Sequence, residues 1–284
     1  MSLNGSSNEL ELDDLGSSFL EDLRPFIRST RIENESQFLD NIRRASQINH
    51  SEINACEYIL FCTDDSTIHQ IIHSKNPYMN KHISAFDLKE RLLLAKMSPS
   101  VAHSTAGGEF HNMLTDALQP MGLTRALKPY PAARIYGDEE NRGKEPDHGW
   151  GPKRKPPRTE DRPSMVLEVA YSETDRKLQS DIRFWLSPSN GGANICLTVK
   201  LDLLRSNIQI ENWRRSQNRI RRKQIVHIRR NSDKLIVTGD LPLSIPFEDL
   251  FLRKTEGPRE HDIEIFEGDL KEYARTVWDD YDLY

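Results

Sequence analysis

The stretch Met165-Val166-Leu167-Glu168-Val169-Ala170 is an apolar run of strand character broken by a single carboxylate. Runs of this kind belong to strands covered on both faces. A charge inside one needs a cation, a metal or several hydrogen-bond donors, because burial without partners is costly. Upstream, Glu145-Pro146-Asp147 offers a second carboxylate 21 positions before Glu168. A divalent metal shared by Asp147 and Glu168 satisfies both acids.

The surroundings of this run set its topology. A strand over 164–171 leads into a helix from about Thr174 to Leu186, with Leu178, Ile182, Trp185 and Leu186 on one stripe. Ser172-Glu173-Thr174-Asp175 resembles a capping box at its start. After the turn Ser187 to Gly192, a second strand covers Ala193 to Leu201. A strand, helix and strand of this length form a right-handed βαβ unit with the two strands parallel. Alternation puts Val166, Glu168 and Ala170 on one face, and Cys196, Thr198 and Lys200 on one face of the partner. Simple register then sets Lys200 beside Ala170 and its ammonium near Glu168, at the carboxyl ends where α/β sheets place ligands.

Before this unit the pattern predicts a helix over Pro99 to Gly122, followed by strands at Arg125 to Tyr136 and Lys144 to Trp150. Five of the 15 prolines fall between 146 and 163, which marks Gly151 to Arg162 as a loop. Residues 1–16 read as a disordered acidic tail and 17–98 as a mostly helical extension. Within that extension Tyr58 to Cys62 is a short strand. Ser66 to His73, capped by Ser66 or Asp65, and Leu88 to Met97 are helices. Residues 99–255 form the main domain, in which 207–213, 224–229 and 234–238 are strands of a hairpin or small extension. Residues 256–284 end in an amphipathic acidic helix over 262–281.

Composition narrows the setting. No run of about 18 apolar residues exists and the N-terminus lacks a basic start with an apolar centre, so membrane spanning and secretion are disfavoured. Cys56, Cys62 and Cys196 match no disulfide framework or zinc pattern, which points to a reducing compartment, nucleus or cytoplasm. The net charge of −5 conceals ends of −4 (residues 1–16) and −7 (residues 256–284), which leave +6 on residues 17–255. A basic middle between acidic ends suits polyanion binding and equally suits ordinary solvated charge.

Pro146-Asp147 at a strand end, Glu168 on the next strand and this order of elements resemble the PD-(D/E)XK nuclease-like superfamily over roughly residues 100–202. The resemblance implies an α/β fold with a restriction-endonuclease-like core: helix, three-strand meander, helix, parallel strand. To this the chain adds the helical N-terminal extension and a β-hairpin. It also implies Mg²⁺- or Mn²⁺-dependent hydrolysis of phosphodiester bonds in nucleic acid, DNA favoured. Asp147 and Glu168 would be the metal ligands, and Glu109 matches the family's helical acid in order along the chain. Ala170 stands where the family carries its lysine, and Lys200 is the migrated substitute by register, with Lys177 a rival on a helix start that reads as exposed. The alternative is a nuclease-like module without chemistry that binds nucleic acid or a protein partner, the latter through the helical extension.

Plainer readings stand beside these. Asp147 serves as a turn cap, Glu168 with Lys200 as a cross-strand ion pair, and Glu109 as a solvated acid in a helix's first turn. Asp181, flanking the apolar stripe, is placed to brace Lys200, while His111 and His148 have no metal-ligand partner at the right spacing. Between Arg214 and Arg230, eight of 17 residues are Lys or Arg and none is acidic. Arg214, Arg215, Arg219, Arg221, Arg222 and Lys223, with Lys153, Arg154 and Lys155 from the proline-rich loop, are the candidates for phosphate contacts. A nuclear-localisation segment or a merely soluble hairpin are the rival readings of these runs.

Overall fold

A computed structural model describes residues 11–12, 19–49, 57–97, 101–130, 133–157, 160–171, 175–202, 205–216, 218–231 and 234–282. In chain order the first elements are β1 (Glu11–Leu12), β2 (Ser29–Arg31), α1 (Glu35–Asn49), β3 (Tyr58–Cys62), α2 (Asp65–Ile72), α3 (Pro77–Asn80), β4 (Ile83–Asp87) and β5 (Leu92–Lys96). The middle holds α4 (Val101–Leu118), β6 (Leu127–Pro129), β7 (Ile135–Tyr136), β8 (Arg142–Lys144), β9 (His148–Pro152), β10 (Met165–Tyr171), α5 (Asp175–Leu186) and β11 (Ile195–Asp202). The last part comprises β12 (Asn207–Ser216), β13 (Arg219–Asn231), β14 (Lys234–Gly239), β15 (Leu243–Ile245), α6 (Phe247–Phe251), β16 (Ile263–Ile265) and α7 (Glu267–Asp282).

The protein is a mixed α/β structure. Its larger sheet runs β1-β13-β12-β11-β10-β9-β6, with β14 also paired to β13. Within it β6, β9 and β10 are successively antiparallel, and β10 and β11 are parallel across the α5 crossover. The register sets Glu168 opposite Thr198 and Ala170 opposite Lys200, as simple alignment of the two strands predicts. A six-stranded sheet runs β2-β3-β5-β4-β8-β7.

The extension over 17–98 is therefore not mainly helical. Leu88 to Met97, expected as a helix, contains strand β5, and its residues alternate between two apolar layers: Leu92 and Leu94 on one side, Leu93 and Ala95 on the other. A short apolar run does not separate strand from buried helix by periodicity. Strands β7 and β8, from the main domain of the sequence reading, complete this second sheet by pairing with each other and with β4. Asp64 rather than Ser66 or Asp65 caps α2, accepting the Thr67 N–H at 2.8 Å. The acidic C-terminal segment begins as β16 before α7 starts at Glu267. Of the expected disordered tail, residues 11–12 pair with β13. The rest of the tail, Cys56 and the capping box at 172–174 lie outside the described residues.

Three apolar layers follow from strand alternation. Met165, Leu167 and Val169 of β10 face α4 and α7 across Phe110, Leu114, Tyr273 and Val277. Val166 of β10 and Cys196 of β11 face the other way, onto Trp185 of α5 and onto Tyr58, Leu60 and Leu94 of the second sheet. Ile59 and Phe61 turn outward to α1 and α2. Glu168 shares the face of Val166, so it is buried at the seam where α5 and the second sheet meet the larger sheet.

Candidate active site

Asp147 directly precedes β9, and β9 is antiparallel to β10 with His148 opposite Leu167. One further step of that register brings Asp147 level with Glu168. The connection is made by the backbone: the Val169 N–H donates to Asp147 Oδ2 at 2.9 Å. The strand end thus sets Asp147 against the strand that carries Glu168.

Their partners come from elsewhere. Lys96, the last residue of β5, forms an ion pair with Asp147 Oδ1. His103 of α4 lies 3.2 Å from Asp147 Oδ2 and 3.0 Å from Lys96 Nζ through the same Nε2 atom. Gly107, one turn along α4, leaves room for the His148 ring against the helix, since a Cβ there would meet His148 Nε2 at 2.1 Å. Glu168 Oε1 accepts the Trp185 Nε1–H at 2.5 Å and lies 3.4 Å from Lys144 Nζ of β8. Lys144 also reaches Asp181 Oδ1 at 3.0 Å, and Lys177 holds Asp181 Oδ2 at 2.5 Å. The Tyr58 ring lies under Lys177 at 4.4 Å and within 5.9 Å of Lys96. Two ion-paired sets, Lys96 with Asp147 and Lys144 and Lys177 with Glu168 and Asp181, are thereby brought into one buried cluster around the Tyr58 ring.

The two acids sit in opposite electrostatic states. Burial pushes the Asp147 carboxyl up, but Lys96, His103 and Lys177 together bring it well below the usual carboxylate range. Burial pushes Glu168 up to about 7, with Lys144 opposing and the neighbouring charges of Asp181 and Asp147 adding to the rise. Burial also raises the Cys196 thiol, helped by Glu168; Cys196 is a core thiol. Burial thus outweighs the neighbouring lysines at Glu168, whereas at Asp147 the neighbouring cations outweigh burial.

Of the other predicted residues, Lys200 has the expected register but not the expected contact. Its side chain turns to Asp175 at the start of α5, leaving the acids behind. A long stem at the end of a strand reaches the helix's first turn and water, whereas the space above Glu168 is taken by Trp185 and Lys144. Asp181 braces Lys177 and Lys144 rather than Lys200. Lys177, expected exposed, is buried. Glu109 accepts from Asn112 Nδ2 at 3.2 Å and adds to the raised Tyr273 pKa toward α7, so it is not brought to the pair. His111 accepts the Trp150 Nε1–H at 3.0 Å, and Trp150 is a core aromatic.

Most of the basic candidates are already engaged. Arg219 and Arg221 reach Glu11 at 2.7 and 3.7 Å, Arg222 reaches Glu211 at 2.7 Å and Arg214 reaches Asp249 at 3.7 Å. Lys155 is tied to Asp161 and to the carbonyls of Glu160 and Arg162, while Arg215 is partly buried. Lys153, Arg154 and Lys223 are exposed.

Sequence reasoning missed Lys96, His103 and Lys144. For Lys177 and Asp181 a signal exists: a Lys and an Asp four apart, each directly before a residue of the apolar stripe, form an i,i+4 pair turned inward. Among the described residues no group of three or more His, Cys, Asp and Glu side chains converges as a metal cage, and no helix is long and apolar enough to cross a membrane. No protein-family model matches the chain, and none of the curated proteins is significantly similar to it.

Proposed function

We propose that this protein is a nuclease of the PD-(D/E)XK type, built on a restriction-endonuclease-like core, that hydrolyses phosphodiester bonds of nucleic acid, with DNA favoured. The observation that carries this reading is the Val169 N–H bond to Asp147 Oδ2, which sets one carboxylate beside the strand of the other. Lys177 acts electrostatically on both acids from its ion pair with Asp181. The donor chemistry fits Mg²⁺ or Mn²⁺, because both acids are hard oxygen ligands. Asp147 and Glu168 would hold the ion, which when bound polarises a phosphate oxygen and lowers the pKa of its water. The chain's own residues contribute the rest. Lys144 and Trp185 orient Glu168, His103 and the Val169 N–H fix Asp147, and Lys153, Arg154 and Lys223 offer exposed charge to a phosphate backbone.

A second reading, a nuclease-like module that binds without cleaving, is favoured by one observation: Lys96 and Lys144 already neutralise the two acids. Incubation of the full chain with supercoiled and linear DNA, with and without Mg²⁺ or Mn²⁺, separates the two. The nuclease reading expects metal-dependent cleavage that Glu168→Ala abolishes. DNA binding without cleavage in either metal selects the module.

A further inference from the structure

The second sheet delivers a residue to the mouth of this cluster. We infer that Lys96, from the end of β5, is the phosphate-contacting lysine of the site and fills from outside the core the role left open at Ala170. This rests on the nucleic-acid reading above. Side-chain exposure ranks the members of the cluster: Lys96 is 15% exposed, Asp147 10% and His103 7%, whereas Lys177, Asp181, Glu168 and Lys144 are at 3% or less. A phosphate arriving from water meets Lys96 and Asp147 first.

The deeper lysines are committed. Lys177 and Lys144 hold Asp181 at 2.5 and 3.0 Å, and Lys144 also serves Glu168. Turning either toward a substrate strips a buried carboxylate of its counter-ion, which is strongly unfavourable. Lys96 is differently placed. Its ammonium has three donors; among the described residues one meets Asp147, and His103 Nε2 takes a second only when that nitrogen is not donating to Asp147. The third is left for a phosphate oxygen. A lysine at this rim orients the phosphate and offsets the charge that builds on it during attack. The six-stranded sheet is then part of the site, because β5 carries Lys96 and its register partner Tyr58 on β3 lies beside both Lys96 and Lys177.

The test is the salt dependence of duplex oligonucleotide binding in EDTA, where no cleavage intervenes. Each phosphate contact adds about 0.9 to the slope of log affinity against log salt. Lys96→Met is expected to make that slope shallower by about 0.9, while Lys96→Arg keeps it. Should Lys96→Met fail to fold because Asp147 is left unpaired, Asp147→Asn is compared with the double variant Lys96→Met/Asp147→Asn, and the same difference is expected. An unchanged slope in the foldable pair overturns the inference alone. Absence of any duplex binding by the unaltered protein overturns it together with the nucleic-acid reading. A shallower slope in a protein that cleaves nothing supports Lys96 as the phosphate contact and removes only the hydrolytic activity.

Discussion

The buried cluster around Glu168 and the basic hairpin β12–β13 use the same chemistry in opposite settings. Both consist of cationic side chains paired with carboxylates at similar distances. Lys144 and Glu168 are 1% and 2% exposed, whereas Arg219, 2.7 Å from Glu11, is 63% exposed. Water screens the second pair and not the first, so an equal separation carries several times the interaction energy inside. Burial also makes a missing partner expensive, because the remaining charge cannot recruit water. At the exposed Arg219–Glu11 pair the loss of one partner is absorbed by solvent. Distance alone thus does not identify the pairs that matter.

Four substitutions probe this contrast, in falling order of expected effect. Lys144→Met leaves Glu168 and Asp181 without a shared counter-ion and is expected to destabilise the fold by about 3–5 kcal/mol in urea unfolding. A loss below about 1 kcal/mol erases the contrast.

Next comes a pH test. Glu168 is raised to about 7 from an ordinary 4.5, so between those values the folded state binds more proton than the unfolded chain. Its contribution to stability is present below pH 4.5 and is lost as pH rises toward 7. The unfolding free energy of Glu168→Gln minus that of the unaltered protein should therefore grow across this window, as followed by chemical denaturation. A flat difference removes Glu168 as the titrating group. Asp147, held low, acts with the opposite sign and in another window: its stabilisation is lost only as pH falls below its ordinary 3.8.

Trp185→Phe keeps an aromatic ring but deletes the N–H donor to Glu168 together with part of the buried indole, for an expected cost of at least about 1–3 kcal/mol. Measuring it with and without Glu168→Gln sharpens the comparison, since the cost should shrink once the acceptor is uncharged. Glu11→Gln removes the partner of Arg219 and Arg221 on the hairpin and should change stability by about 0–1 kcal/mol. A larger effect there means that the pairing of β1 with β13 carries more than its exposed charges.

Much of the architecture was legible because it is written in local periodicity. The alternation in β10 and β11, the stripe on α5 and the parallel register that puts Ala170 opposite Lys200 all follow from spacing within single elements. The nature of the 17–98 segment was not legible in the same way. Short runs such as Leu92 to Ala95 are apolar on every face and carry no period.

For the candidate site the division falls between backbone and side-chain reach. Pro146-Asp147 and Glu168 were visible as a pair, since strand order and turn length bring their Cα positions together whatever else the chain does. Lys200 was correctly placed by its Cα and wrongly placed by its ammonium, which swings to Asp175. A lysine head lies far from its backbone on a flexible stem, so its destination depends on which space the packed neighbours leave. The sequence by itself determined that a carboxylate would be buried in this sheet with Asp147 beside it. Only the tertiary structure decided that Lys96, Lys144 and Lys177 would answer that charge, because two of the three arrive on a second sheet whose docking no local pattern encodes.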